Sequence, residues 1–221
     1  MVQGVFTNKC TSSSQADFLV ITHQGLYFYD DYTSLTSGPC LYEANYGATF
    51  YGFSNLPDVT QWEAAMAFQN SWVDIYTGGE VYRWQNAGNY LSKIGVYPKP
   101  TKSHIQFITS TSISITPTNL VWAVHRKDTG GHLVYYYDGT QYYLYNNQNP
   151  KQRVFLQNAT DVIDQNSRDL NIWKDLPSNV VGLTAVDNSG AEFVYVTWPD
   201  MLHYKLDRHG QIHNLGQIKL S

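Results

Sequence analysis

Apolar and polar residues alternate in short runs along this chain, and the runs come in pairs joined by turn residues. Residues 18 to 30 read FLVITHQGLYFYD, 73 to 85 read VDIYTGGEVYRWQ, and 193 to 207 read FVYVTWPDMLHYKLD. The stretch GHLVYYYDGTQYYLYNN, Gly131 to Asn147, holds six of the eighteen tyrosines and splits into LVYYY and YYLYN around Asp138, Gly139, Thr140 and Gln141. Alternation around an Asp-Gly or Gly-Gly turn predicts a β-hairpin.

The four hairpins form a series. Each ends in a five-residue unit with tyrosine second and Asp, Gln or Asn last: LYFYD, VYRWQ, YYLYN and HYKLD. Their tyrosines, Tyr27, Tyr82, Tyr143 and Tyr204, lie 55, 61 and 61 residues apart. A further apolar strand precedes each hairpin: VQGVF from Val2, WEAAM from Trp62, LVWAV from Leu120 and VVGLT from Val180, at intervals of 60, 58 and 60. Two independent landmarks therefore share one period. Gly4, Ala64 and Gly182 stand third in three of these strands, as expected where four strands crowd around an axis. GFSNLPDV, ITPTN and WKDLPSNV supply the Pro and Asn that stop one unit before the next.

Four such units, over about 1–57, 58–116, 117–177 and 178–221, predict one all-β domain, a four-bladed β-propeller, in which radial repetition leaves few exposed sheet edges. A β-sandwich gives no reason for a fourfold repeat, and a trefoil would repeat three times. Trp62, Trp72, Trp84 and Trp122 are expected in the packing between blades, and Trp173 in a connection. The tyrosines of the third hairpin should alternate between the two faces of their blade, some packing on neighbouring blades and some not.

The residues of the second unit, LPDVTQWEAAMAFQNSWVDIYTGGEVYRWQN followed by VYPKP, resemble the hemopexin-like domains, and LPSNVVGLTAV to HYKLD resembles them more loosely. The resemblance implies a small-ligand site for haem or a polyamine near the axial tunnel, or a scaffold for a protein partner. It also implies an axial cation, calcium or sodium, held by an acidic residue second in each inner strand and by backbone carbonyls. The matching positions here are Gln3, Glu63, Val121 and Val181, so Glu63 alone brings a carboxylate to a cation that wants six to eight oxygens. The family's bridge between first and last blades has no counterpart, since no cysteine follows Cys40. Cys10 and Cys40 are either a bridge within the first blade or two buried thiols.

Composition narrows the function. The residues are 43% hydrophobic and only 14% charged, with a formal net charge of −4 and no basic stripe, which argues against nucleic acid. No apolar run approaches the ~20 residues of a membrane helix, so membrane insertion is not expected. MVQGVFTNKC lacks the features of a signal peptide, which leaves a cytoplasmic protein or a secreted one in mature form. Asn158-Ala159-Thr160 is an N-glycosylation sequon that matters only in a secretory pathway.

Catalytic chemistry is not expected. The seven histidines make no H-E-x-x-H, and no G-x-S-x-G or phosphate-cradling loop occurs. Asp30 and Asp31 read as strand-ending acids, and His203, His209 and His213 with Asp207 as strand and loop surface. What remains is one face of the propeller, where the tips between second and third strands join the starts of the inner strands. It should carry His23 and Gln24, Thr77 to Glu80, Asp138 to Gln141, and Trp198 to Asp200. Asp138 and Gly139 are also what an ordinary tight turn requires. Trp198, beside Pro199, is hard to bury at a tip. Aromatic faces beside planar polar groups suit sugars. The expected function is a lectin-like carbohydrate-binding protein with Trp198, Asp200, Asp138, Thr140, Gln141, Thr77, Glu80, His23 and Gln24 as ligand-facing residues. A homodimer would double weak sites.

Overall fold

The computed structural model describes residues 2–5, 10, 17–43, 52–68, 72–86, 91–110, 113, 116–128, 131–146, 155–158, 176–186 and 192–221. Its strands fall into four antiparallel sheets in chain order. The first contains β1 (Val2–Val5), β2 (Asp17–Ile21), β3 (Leu26–Tyr29) and β4 (Leu41–Glu43). The second contains β5 (Ala64–Phe68), β6 (Trp72–Thr77), β7 (Glu80–Asn86) and β8 (Leu91–Lys93), with the short β9 (Lys99–Pro100) also pairing with β7. The third contains β10 (Trp122–Asp128), β11 (Gly131–Tyr137), β12 (Gln141–Asn146) and β13 (Phe155–Asn158). The fourth contains β14 (Val180–Ala185), β15 (Phe193–Thr197), β16 (Leu202–Leu206) and β17 (Ile212–Gln217).

The first strand of every sheet is the inner one. Strand β1 packs beside β5, β5 beside β10, β10 beside β14, and β14 beside β1, so the four sheets are arranged as the blades of a propeller. Ala64 and Gly182, with no bulk beyond Cβ, are buried where these strands converge.

Strand pleat explains how the blades hold each other. Successive side chains point to opposite faces, so a strand apolar at every position must be covered on both sides. In β2 and β3, Leu19, Ile21, Leu26 and Phe28 join the core with the second blade, while Phe18, Val20, Tyr27 and Tyr29 pack with Val194 and Val196 of the fourth. The third hairpin does the same. Tyr136, Tyr143 and Tyr145 face the second blade, and Tyr135, Tyr142 and Leu144 face Phe193 and Tyr195 of the fourth. Its tyrosines thus alternate as expected, but both sets pack on a neighbouring blade, because each blade is sandwiched between two others. Tyr76 and Tyr136, 60 residues apart, meet through their hydroxyls at 2.8 Å. Trp62, Trp84 and Trp122 are buried and Trp72 is half-buried, as expected of blade packing. Trp173 lies outside the described residues.

The helix α1 (Thr101–Thr109) departs from the all-strand expectation. It follows Pro100 directly and buries Thr101, His104, Ile105, Ile108 and Thr109, a spacing of three and four residues that lays one face on the second and third blades. Its β-branched Thr and Ile residues read as strand formers in isolation. Tertiary burial overrides that preference. No helix among the described residues is long and apolar enough to cross a membrane.

Beneath α1 lies a buried polar cluster. Arg83 Nε and Nη2 donate to the two carboxylate oxygens of Asp74, each at 2.6 Å, across the β6–β7 pair. His104 Nε2 lies 3.0 Å from Asp74 Oδ2, and its Nδ1 lies 2.8 Å from the Tyr97 hydroxyl. The rings of Trp72 and Tyr97 lie 5.0 and 5.4 Å from the guanidinium. Burial pushes the Asp74 carboxyl up, but the Arg83 charge and then His104 outweigh it and hold the group down to about 2. Burial lowers the His104 imidazole against the pull of Asp74. A neutral imidazole donating from Nε2 to Asp74 and accepting at Nδ1 from Tyr97 uses every polar atom.

Blade one is closed covalently. A disulfide joins Cys10, after β1, to Cys40, before β4, with Cα atoms 5.4 Å apart. The tail after β17 then crosses to the same blade. Tyr29 donates its hydroxyl proton to the Lys219 carbonyl at 2.6 Å, and Lys219 N donates to the Leu35 carbonyl at 2.9 Å.

Two measurements check these ties. Replacing both cysteines by alanine should lower unfolding free energy by roughly 3.5 kcal/mol in denaturant titration, the chain-entropy value for a sequence separation of 30 residues; an unchanged midpoint would count against the bridge as a stabilising element. Asp74→Asn, which leaves the Arg83 charge buried and uncompensated, should cost about 3 to 5 kcal/mol. Because the folded-state value of Asp74 is depressed, its contribution is present above about pH 4 and is lost as pH falls towards about 2. The acid limb of melting temperature against pH should therefore be shallower in Asp74→Asn than in the wild type.

Candidate functional site

In each blade the hairpin tip lies beside the start of its own inner strand, in blade one through the register Val2↔Val20. Glu63 N donates to the Tyr76 carbonyl, Val121 N to Tyr137 and Trp198 N to Asn179, at 2.8 to 3.0 Å. Each hydrogen bond ties the entry of an inner strand to the tip of its own hairpin. The tip residues then divide into those the turn itself consumes and those it presents to solvent.

Blade three has the most self-contained tip. Asp138 Oδ1 accepts from Thr140 N at 2.8 Å, Thr140 Oγ1 at 2.9 Å and Gln141 N at 2.7 Å, and Oδ2 accepts from the Tyr143 hydroxyl at 2.9 Å. Burial raises the Asp138 carboxyl, but the backbone bonds from Gln141 and Thr140 and the Tyr143 hydroxyl bring it below its ordinary value. An acid committed to four donors is a turn residue. Thr140 is exposed and Gln141 half-buried.

At the blade-two tip, Gly78 and Gly79 both have positive φ, 58° and 81°, and reverse the chain without side chains. Thr77 differs from expectation. It is buried, because it is the last inward residue of β6, and its hydroxyl donates to the Gln61 carbonyl at 2.9 Å. Glu80 is exposed and accepts from the Tyr82 hydroxyl at 3.2 Å. Burial and then the Glu80 charge push Tyr82 up to about 12.

Glu63 stands at the entry of the second inner strand. Its Oε1 accepts from Gly78 N at 3.1 Å and its Oε2 from Leu120 N at 3.0 Å, so the carboxylate ties the blade-two tip to the entry of blade three. An axial cation would have to share those oxygens and draw the rest from backbone carbonyls. Among the described residues no group of three His, Cys, Asp or Glu side chains is arranged to hold a metal. His203 is buried with Nδ1 donating to the Gly216 carbonyl, whereas His213 reaches Asp207 on the surface, so these histidines do not converge. Asp31 caps its own turn through Thr33 and Ser34.

Blades one and four present more to solvent. His23 and Gln24 are exposed on a turn held by Thr22, whose Oγ1 accepts from Gln24 N at 3.1 Å and Gly25 N at 3.3 Å. In blade four Trp198 is 53% exposed. Its backbone is clamped from both sides, N to the Asn179 carbonyl and carbonyl to Asn179 Nδ2, each at 3.0 Å. Asp200 Oδ1 accepts from Thr197 Oγ1 at 2.8 Å, and the Asp200 carbonyl accepts from Gln217 Nε2 at 3.0 Å. The backbone under the indole is thus anchored while its ring faces water.

No protein-family model matches this sequence, and no curated protein sequence matches it either. Solved structures do resemble it. A 2S albumin seed protein from Dolichos superimposes with a TM-score of 0.57 at 10% identity, covering 99% of this chain and 92% of that one. A plant albumin from Cicer arietinum showing hemagglutination gives 0.56 at 12% identity, over 99% and 91%. The hemopexin fold protein CP4 from cow pea gives 0.52 at 12% identity, over 97% and 92%. Identities this low speak for architecture alone, and the architecture agrees with four sheets around a ring of inner strands: the chain has the hemopexin fold.

Proposed function

We propose that this chain is a lectin-like, non-enzymatic protein that binds carbohydrate on the face carrying the four hairpin tips. The observation that carries this reading is Trp198, an indole 53% exposed on an anchored turn, with the carboxylate of Asp200 two residues away. A large aromatic left in water forgoes roughly 1.5 to 3 kcal/mol of burial, so a fold that keeps it there supports a partner for the ring. Sugar C–H faces stack on such a ring, and their hydroxyls pair with carboxylates, amides and imidazoles. Asp200 supplies such a group beside the ring, and the other tips carry more of them: His23 and Gln24 on blade one, Glu80 on blade two, and Thr140 with the half-buried Gln141 on blade three. The hemagglutination of the Cicer arietinum albumin, which shares the fold, supports the same reading.

A glycan array and a haemagglutination assay test it, and absence of signal in both would sink it. On the array's strongest glycan, Trp198→Ala should weaken binding about tenfold, or ~1.4 kcal/mol, with an unchanged melting temperature. Unchanged affinity would remove Trp198 from the site.

A further inference from the structure

Five large hydrophobic side chains are exposed among the described residues: Tyr42, Val96, Phe107, Trp198 and Ile212. Val96 and Ile212 are aliphatic, and the ring of Phe107 is capped by Lys99 Nζ at 4.3 Å. Tyr42 and Trp198 are the two aromatics left, and both belong to the tip face, on neighbouring blades.

Tyr42 reaches that face from the outer strand. β4 pairs with β3 in the register Leu26↔Glu43 and Tyr27↔Tyr42, which brings Tyr42 to the end of the blade where the Thr22–Gly25 turn lies. Three contacts then fix the ring. Its hydroxyl donates to the Gln24 carbonyl at 2.9 Å. Its inner side rests on Tyr27, with centroids 4.7 Å apart and planes at 33°. Its edge crosses Gly25, where a Cβ would collide with the ring, so only glycine permits this placement. The ring is nevertheless 46% exposed, with His23 and Gln24 exposed beside it.

We propose that Tyr42, with His23 and Gln24, forms a second carbohydrate subsite on blade one, separate from that of Trp198. A ring already held in place binds without the entropy loss of ordering it, and a flat aromatic on a turn that also carries an exposed histidine and glutamine has the chemistry that takes a pyranose face. Two platforms on different blades make a single chain bivalent, the minimum for cross-linking glycans on two surfaces. This inference rests on the sugar-binding reading above.

Saturation-transfer difference NMR with a panel of methyl glycosides of galactose, glucose, mannose, N-acetylglucosamine and N-acetylgalactosamine separates the two sites. The wild type should show transfer to at least one glycoside, Trp198→Ala should retain part of it, and Trp198→Ala with Tyr42→Ala should lose it entirely. Tyr42→Phe, which keeps the ring and loses only the bond to Gln24, should behave as wild type. Tyr42→Leu, which still packs on Tyr27 but offers no aromatic face, replaces Tyr42→Ala where that variant fails to fold and should likewise abolish transfer in the Trp198→Ala background. If Trp198→Ala abolishes all transfer while Tyr42→Ala leaves it at wild-type level, the second subsite is overturned and the lectin reading stands. If no glycoside receives saturation from the wild type, both fall together.

Discussion

Every blade of this protein is a sheet with two apolar faces, and that single constraint governs the rest. A hairpin such as LVYYYDGTQYYLY cannot leave either face in water, since each buried aromatic or aliphatic side chain is worth roughly 1.5 to 3 kcal/mol relative to exposure. Two stacked blades would leave two faces wet. A ring leaves none, because the last blade covers the first, and here Val194 and Val196 of the fourth blade meet Phe18, Val20, Tyr27 and Tyr29 of the first. The tail strengthens that closure through Tyr29 and Leu35, with Ile218 in the same core. The disulfide acts elsewhere, inside blade one.

Burying both faces also decides where chemistry can be placed. Most positions on the inner strands and the hairpins are committed to packing, whereas outer β17 is largely exposed, so groups that face a ligand come from the tips or from outer strands. The tips in turn spend side chains on their own geometry. Asp138 serves four donors, Glu63 joins two blades, and Thr77 is turned inward. Trp198 and Tyr42 are held by contacts that leave a ring face open, and for this reason they stand out from the many other aromatics of the chain.

Much of the architecture was legible along the chain. The tyrosines at Tyr27, Tyr82, Tyr143 and Tyr204 all fall on third strands, and Val2, Ala64, Trp122 and Val180 each open an inner strand at or within two residues of the expected start. Pleat is local, and alternation records it. Helix α1 was not legible, because TKSHIQFIT carries β-branched residues and its amphipathic spacing is only two turns long. Nor was the Asp74–Arg83–His104 cluster. Its members lie on two strands and a helix, and a charged residue inside a strand reads as solvent-facing until its partners are known.

The sequence by itself determined the fourfold period, the strand order within each unit and the two-sided apolar character that requires a ring, since alternation and turn chemistry are local and the period is a recurrence of those local patterns along the chain. Tertiary structure alone decided which polar and aromatic groups meet water. Glu63 was engaged by Leu120, 57 residues away, His104 by Asp74, 30 residues away, and Tyr42 was laid over Gly25 by an outer strand whose register no tip residue announces. Exposure is a relation between distant parts of a chain, so the open ring of Tyr42 came to light only when the blade was assembled.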